Sequence, residues 1–97
     1  MKIIYVDIDE TICNTPSDRN YMNAIPIKEN IEKINALYDA GHTIVYWTAR
    51  GSRKKKDWHE KTKNQLNSWG VKFHELRTDK PYYDLFIDDK NKRIEEI

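Results

Sequence analysis

Cysteine occurs once, at position 13, so no internal disulfide can staple the chain. No apolar run approaches the roughly 20 residues needed to span a bilayer, and no basic start leads into an apolar signal segment. The expected compartment is the cytoplasm, with no membrane partner. A surplus of charge is missing too: 17 Lys and Arg stand against 16 Asp and Glu, a net charge of +1. A protein that coats nucleic acid would carry a strongly basic face, so that class is disfavoured. Ile, Leu, Val and Phe total only 21 of 97 residues, near the roughly 20% below which chains tend to stay disordered, but disorder also calls for high net charge. Three Trp and six Tyr add burial mass. The reading is one folded domain over 1–97, with a thin core and a charged surface.

Charge is uneven along the chain. Residues 1–48 hold four Lys/Arg and seven Asp/Glu, whereas residues 49–97 hold thirteen and nine. An acidic pocket beside a basic rim is the expected result. The apolar run Ile3, Ile4, Tyr5, Val6 and Ile8 does not alternate with polar residues, as suits a strand covered on both faces, and predicts a first strand over 2–8. Residues 13–26, rich in Asn, Pro, Ser, Asp and Arg, predict a loop or irregular flap. Ile27, Ile31, Ile34 and Leu37 then recur at helical spacing, with Pro26 at the start and Gly41 past the end.

Thr43 to Trp47 is β-branched and aromatic and predicts a second strand. Trp58, Thr62, Leu66 and Trp69 share one helical face, giving a second helix over 53–69 that Gly70 stops. Residues 71–76 predict a third strand and 84–88 a fourth, with one or two helical turns within 89–97. Strands alternating with helices imply an α/β fold with a parallel sheet and helices on both faces. Ligands bind such sheets at the carboxyl ends of the strands.

The first strand ends in Asp7-Ile8-Asp9-Glu10-Thr11, the second in Thr48-Ala49-Arg50, and the fourth in Asp88-Asp89, while Lys80 stands in the loop before the fourth. If the four carboxylates converge, each pair at about 4 Å costs on the order of 4 kcal/mol at an effective dielectric near 20. A cation or a proton must relieve that repulsion. An all-oxygen set suits Mg²⁺ better than zinc.

The order DIDET at 7–11, Thr48 after an apolar strand, Lys80, and Asp88-Asp89 resembles the four motifs of the haloacid dehalogenase superfamily of phosphohydrolases, across residues 3–89. Within it, the short length and the segments YWTAR and KPYYDLFIDD are similar to small capless phosphatase-like proteins of capsular polysaccharide biosynthesis. The resemblance implies a three-layer Rossmann-like fold with strand order 4-1-2-3. It implies Asp7 as nucleophile, attacking phosphorus to give an aspartyl-phosphate, and Asp9 as the general acid and base. Thr48, with the backbone N–H groups that follow at Ala49 and Arg50, would hold the phosphoryl oxygens, and Lys80 would neutralise charge. Mg²⁺ would be held by Asp7, the backbone carbonyl of Asp9, Asp88 and, directly or through water, Asp89.

Simpler readings exist for each residue. Asp7 and Asp9 could open a calcium loop, but its sixth and twelfth positions would be Ile12 and Asp18 rather than Gly and Glu. Thr48 could be an ordinary strand-end residue, and Lys80 or Arg50 a surface cation; at the phosphate site Arg50 would bind an anionic substrate. Asp89 could cap the last turn. The run Arg53, Lys54, Lys55 and Lys56 lacks interleaved aromatics and reads as a solvated helix start. His42, His59 and His74 show no metal-ligand spacing.

No cap domain fits between the motifs, so a large substrate or a neighbouring copy in a homo-oligomer would cover the site. The expectation is a capless Mg²⁺-dependent phosphatase acting on a small phosphorylated substrate such as a sugar phosphate. The rivals are a nucleotide or polynucleotide phosphatase and a phosphoacceptor signalling domain. The latter carries its acidic pair on the first strand and its phosphorylated Asp later, the reverse of the order here.

Overall fold

The computed structural model describes residues 1–51 and 58–97. Along them run β1 (Ile3–Val6), β2 (Cys13–Asn14), β3 (Ile25–Pro26), α1 (Lys28–Asp39), β4 (Thr43–Trp47), α2 (Trp58–Ser68) and β5 (Glu75–Arg77), with single 3-10 turns at Tyr21–Asn23 and Ile94–Glu96. The expected basic run at 53–56, and a helix start at 53, lie outside the described residues.

The expected second strand forms at Thr43–Trp47, because a run of β-branched and aromatic residues fits a pleated surface flanked on both sides. It is the middle strand of a parallel sheet ordered β1-β4-β5. Register aligns Ile4 with Ile44, Val6 with Tyr46, and Tyr46 with Leu76. Side chains alternate across a strand, so these residues share one face. They form one core cluster with Ile31 and Ile34 of α1 and Leu66 of α2.

Both helices therefore feed the same face, which corrects the expectation of helices on both. Among the described residues no helix of that cluster covers the opposite face, which carries Tyr5, Val45 and Trp47 and leaves Tyr5 48% exposed. Smaller contacts lie across it instead. Tyr5 and Trp47 meet edge to face at 5.6 Å, Arg77 Nη1 donates to the Tyr5 hydroxyl at 3.2 Å, and Trp47 Nε1 donates to Asp79 at 2.9 Å. The coarse class holds: the described residues form a small α/β fold with a three-stranded parallel sheet and two α-helices.

Helix α1 starts after Pro26 and stops before Gly41, whose φ of +98° is the left-handed conformation that ends helices at little cost to glycine. In α2 the face expected from spacing buries Thr62 and Leu66, and Trp69 packs on the cluster.

Two strands differ from expectation. The third begins at Glu75 rather than 71, because His74 intervenes: its Nδ1 accepts from the Ile44 N–H at 3.1 Å, taking a donor that a ladder carbonyl would use. Lys72 N–H is likewise drawn to the Asn35 side chain of α1 at 2.9 Å. The expected fourth strand at 84–88 is not formed, and Leu85 and Ile87 stand 75% and 87% exposed. Tyr83 and Phe86 instead pack their rings at 5.4 Å, bending the segment onto itself. Among the described residues no helix is long and apolar enough to cross a membrane.

Candidate active site

Parallel strands bring their carboxyl ends to one edge. Asp7 follows β1 directly, Thr48 follows β4, and the turn after β5 leads back to Lys80. Two backbone bonds fix that turn: Thr48 N–H donates to Arg77 O at 2.9 Å, and Lys80 N–H donates to Thr48 O at 3.2 Å. Lys80 Nζ thereby lies 3.4 Å from Asp7 Oδ1, with side-chain exposures of 12% and 41%. The ammonium also sits 5.7 Å from the Trp47 ring centre and 5.3 Å from that of Tyr83. These faces favour a cation and narrow its range of positions. Burial lifts the Asp7 carboxyl above its ordinary value, against the pull of Lys80 and of the Ile8 backbone.

Thr48 is buried, and its Oγ1 accepts from Arg50 N–H at 3.1 Å, closing a tight turn around Ala49. The expected cradle of hydroxyl and N–H groups thus has its hydroxyl turned inward. Ala49 is half-buried beside it.

After Asp7 the chain winds back on itself. Ile8 O accepts from Thr11 N–H at 3.1 Å and Ile12 N–H at 3.0 Å, and fully buried Ile8 and Ile12 anchor the loop. Glu10 takes a φ of 64°, left-handed for a residue with a Cβ and costing about 1 to 2 kcal/mol. This winding carries Asp9 toward Arg50. Arg50 Nε donates to Asp9 Oδ2 at 3.0 Å and Nη2 to Oδ1 at 2.8 Å, the bidentate geometry that suits a planar guanidinium. Arg50's remaining amino group donates to Gln65 Oε1 at 2.6 Å, and its plane lies 4.7 Å from the Tyr21 ring centre. Gln65 Nε2 in turn donates to Tyr21 O at 2.8 Å. Thr15 Oγ1 donates to Asp9 Oδ1. Burial alone would raise the Asp9 carboxyl, but the Arg50 bonds and charge, then Thr15 and Arg19, outweigh it and hold it below its ordinary value.

Asp7, Thr48 and Lys80 are therefore brought together, and Asp9 is fixed nearby on Arg50. Arg50 itself, expected to reach an anionic substrate, is buried with its donors directed at Asp9 and Gln65. Asp88 and Asp89 stand exposed on the segment that does not join the sheet. Among the described residues no three His, Cys, Asp or Glu side chains are grouped to hold a metal ion. The carboxylates expected to hold Mg²⁺ with the Asp9 backbone carbonyl, those of Asp7, Asp88 and Asp89, are thus not gathered into one group among the described residues.

Gln65, Thr15 and Tyr21 were missed by the sequence reading. Gln65 carried a signal, since it lies seven residues after Trp58 and three after Thr62, a polar residue on the flank of the buried helix face. Thr15 and Tyr21 lie in a flap without periodicity and carried none. The histidines behave as packing residues: His42 accepts from Lys2 N–H at 3.2 Å, and His74 stacks on Tyr38 at 4.6 Å.

No protein-family model matches this chain, and no curated protein matches it. A solved structure does: the chain is similar to a crystal structure of a structural-genomics target from Vibrio cholerae, at 28% identity and a TM-score of 0.86, over 99% of this chain and 86% of that one.

Proposed function

We propose that this chain hydrolyses phosphate monoesters, in the manner of the haloacid dehalogenase superfamily, with Asp7 as nucleophile. The observation that carries the reading is the pairing of a half-buried carboxylate with a lysine at the carboxyl edge of a parallel sheet, Asp7 Oδ1 to Lys80 Nζ at 3.4 Å. A carboxylate oxygen attacks phosphorus, the ester oxygen leaves, and water then cleaves the aspartyl-phosphate to regenerate Asp7. Lys80 offsets the charge on the phosphoryl oxygens. The resemblance assigns Asp9 to hand a proton to the leaving oxygen and to take one from the water; with its carboxyl lowered by Arg50 it stands ready as the base, and it must first gain a proton to serve as the acid.

The observed order of the three strands supports the finer reading of the fold, in which they form the centre of a haloacid dehalogenase sheet without a cap. The substrate class in this reading is a sugar phosphate or related small metabolite, and a neighbouring copy would cover the open site. The resemblance adds a dependence on Mg²⁺, which the experiment treats separately. Phosphate release is measured from a panel of phosphorylated sugars, nucleotides and an aryl phosphate, with Mg²⁺ and with chelator, for the wild type and Asp7→Asn. Release from the sugar phosphates, abolished in the variant, is expected. Undiminished turnover by Asp7→Asn, or a stable phosphorylated form without turnover, would end the reading in favour of another nucleophile or of a phosphoacceptor domain.

A further inference from the structure

Arg50 is a charged side chain with 0% exposure, and none of its described contacts leads toward solvent. Its two-pronged bond to Asp9 fixes that carboxylate in plane and direction, because a guanidinium fork admits one orientation of its partner. A fork held only by Asp9 would swing with it. Here it is fixed from two further sides, by Gln65 Oε1 at 2.6 Å and by the Tyr21 ring at 4.7 Å. Gln65 is fixed in turn by its bond to the Tyr21 carbonyl, and the Tyr21 ring by an edge-to-face contact with Trp58 at 5.3 Å. The chain of contacts runs from helix α2 and the flap, through one buried guanidinium, to Asp9.

We propose that Arg50 is a positioning residue rather than a substrate-binding one, and that Gln65 acts through it to orient Asp9. The proposal rests on the phosphatase reading for its kinetic part and on the geometry alone for the rest. A buried ion pair held from several sides is poorly suited to capturing substrate, since releasing Arg50 would leave Asp9 buried and unpaired. It is well suited to holding a carboxylate within the narrow range of positions that proton transfer requires.

The test uses two readouts. In proton NMR of the full chain, one arginine Nε–H should exchange slowly with solvent, vanish in Arg50→Lys, and shift in both Gln65→Leu and Asp9→Asn. With an aryl phosphate as probe, Gln65→Leu should lower kcat at least about tenfold with KM within about twofold. Gln65→Glu, which keeps an acceptor for the Arg50 amino group but loses the donor to the Tyr21 carbonyl, should restore part of the rate lost in Gln65→Leu. Absence of the protected Nε–H signal overturns the proposal, and so does wild-type kcat in Gln65→Leu once the signal has shifted. A raised KM at unchanged kcat also overturns it, by making Arg50 a binding group. A wild type that releases no phosphate removes the function proposed above but leaves the Nε–H signal to decide the positioning.

Discussion

Arg50 and Asp9, 41 residues apart in sequence, meet through two hydrogen bonds of 3.0 and 2.8 Å, with side-chain exposures of 0% and 13%. A pair buried this deeply is destabilising to break and much less so to replace, because removing one partner leaves the other charge desolvated. Arg50→Met alone should lower unfolding stability by about 3 to 5 kcal/mol. The double variant Asp9→Leu with Arg50→Met should lose clearly less than the two single losses combined. Urea unfolding of the four proteins measures the coupling, and simple additivity would show that the pair does not act as a unit.

The two acids of the DIDET segment should bend the pH dependence of stability in opposite directions. Asp7's carboxyl is raised in the folded chain, so the folded state binds its proton more tightly than the unfolded one does. Stability should then rise as pH falls from Asp7's folded value toward the ordinary carboxylate value. Asp9's is lowered, so its contribution is fully present above the ordinary value and is lost as pH falls through its folded value. Urea midpoints between neutral pH and about pH 3 should show a shallow maximum on the acid side. Asp7→Asn should remove the rise and Asp9→Asn the fall; a rise that persists in Asp7→Asn would assign it to another group.

What the sequence made legible was whatever depends on local pattern. Ile31 and Ile34 announced the buried face of α1 by spacing, Thr43–Trp47 announced the central strand by composition, and Asp7 and Thr48 announced the strand-end edge by following apolar strands, whereas Lys80 was reached through the family resemblance alone. Arg50 was illegible because its fate depends on partners 41 residues before it and 15 after it. The segment 84–88 was misread for the same reason. Its apolar centre is compatible with a strand, but strand formation needs a partner edge, and a ring contact between Tyr83 and Phe86 settles its course locally.

Cys13 is fully buried, with Sγ 3.6 Å from the Ile8 carbonyl oxygen to which it donates and 3.7 Å from both Asp9 Oδ1 and Thr15 Oγ1. Burial pushes its thiol up to about 11, although the Thr15 hydroxyl opposes the shift. Thiolate, not thiol, is the nucleophile. Alkylation at neutral pH should therefore be slow in the folded chain and rise to the rate of a model thiol in urea. Rapid labelling without denaturant would mean that the loop from Asp9 to Thr15 opens readily, and the fixed geometry around Asp9 would have to be abandoned with it.

The central strand carries a polar atom that its surroundings do not satisfy. Tyr46 is fully buried between the helices and the sheet, its ring edge-on to Phe73 at 6.0 Å. Among the described residues its hydroxyl has no hydrogen-bond partner, and neither has Thr62 Oγ1 on α2. An unpaired buried hydroxyl costs about 1 to 3 kcal/mol by mutational measures, while the ring around it contributes burial that phenylalanine would keep. Tyr46→Phe should accordingly raise stability by about 1 kcal/mol, or roughly 4 to 8 °C in Tm for a domain of this size. Thr62→Val keeps shape on the helix while removing the second hydroxyl, and should move Tm in the same direction by less, since β-branched valine brings no helix-propensity gain over threonine. A fall in Tm for Tyr46→Phe would show that the hydroxyl is bonded in solution, and would place its partner among groups that the folded core admits to the face of β4.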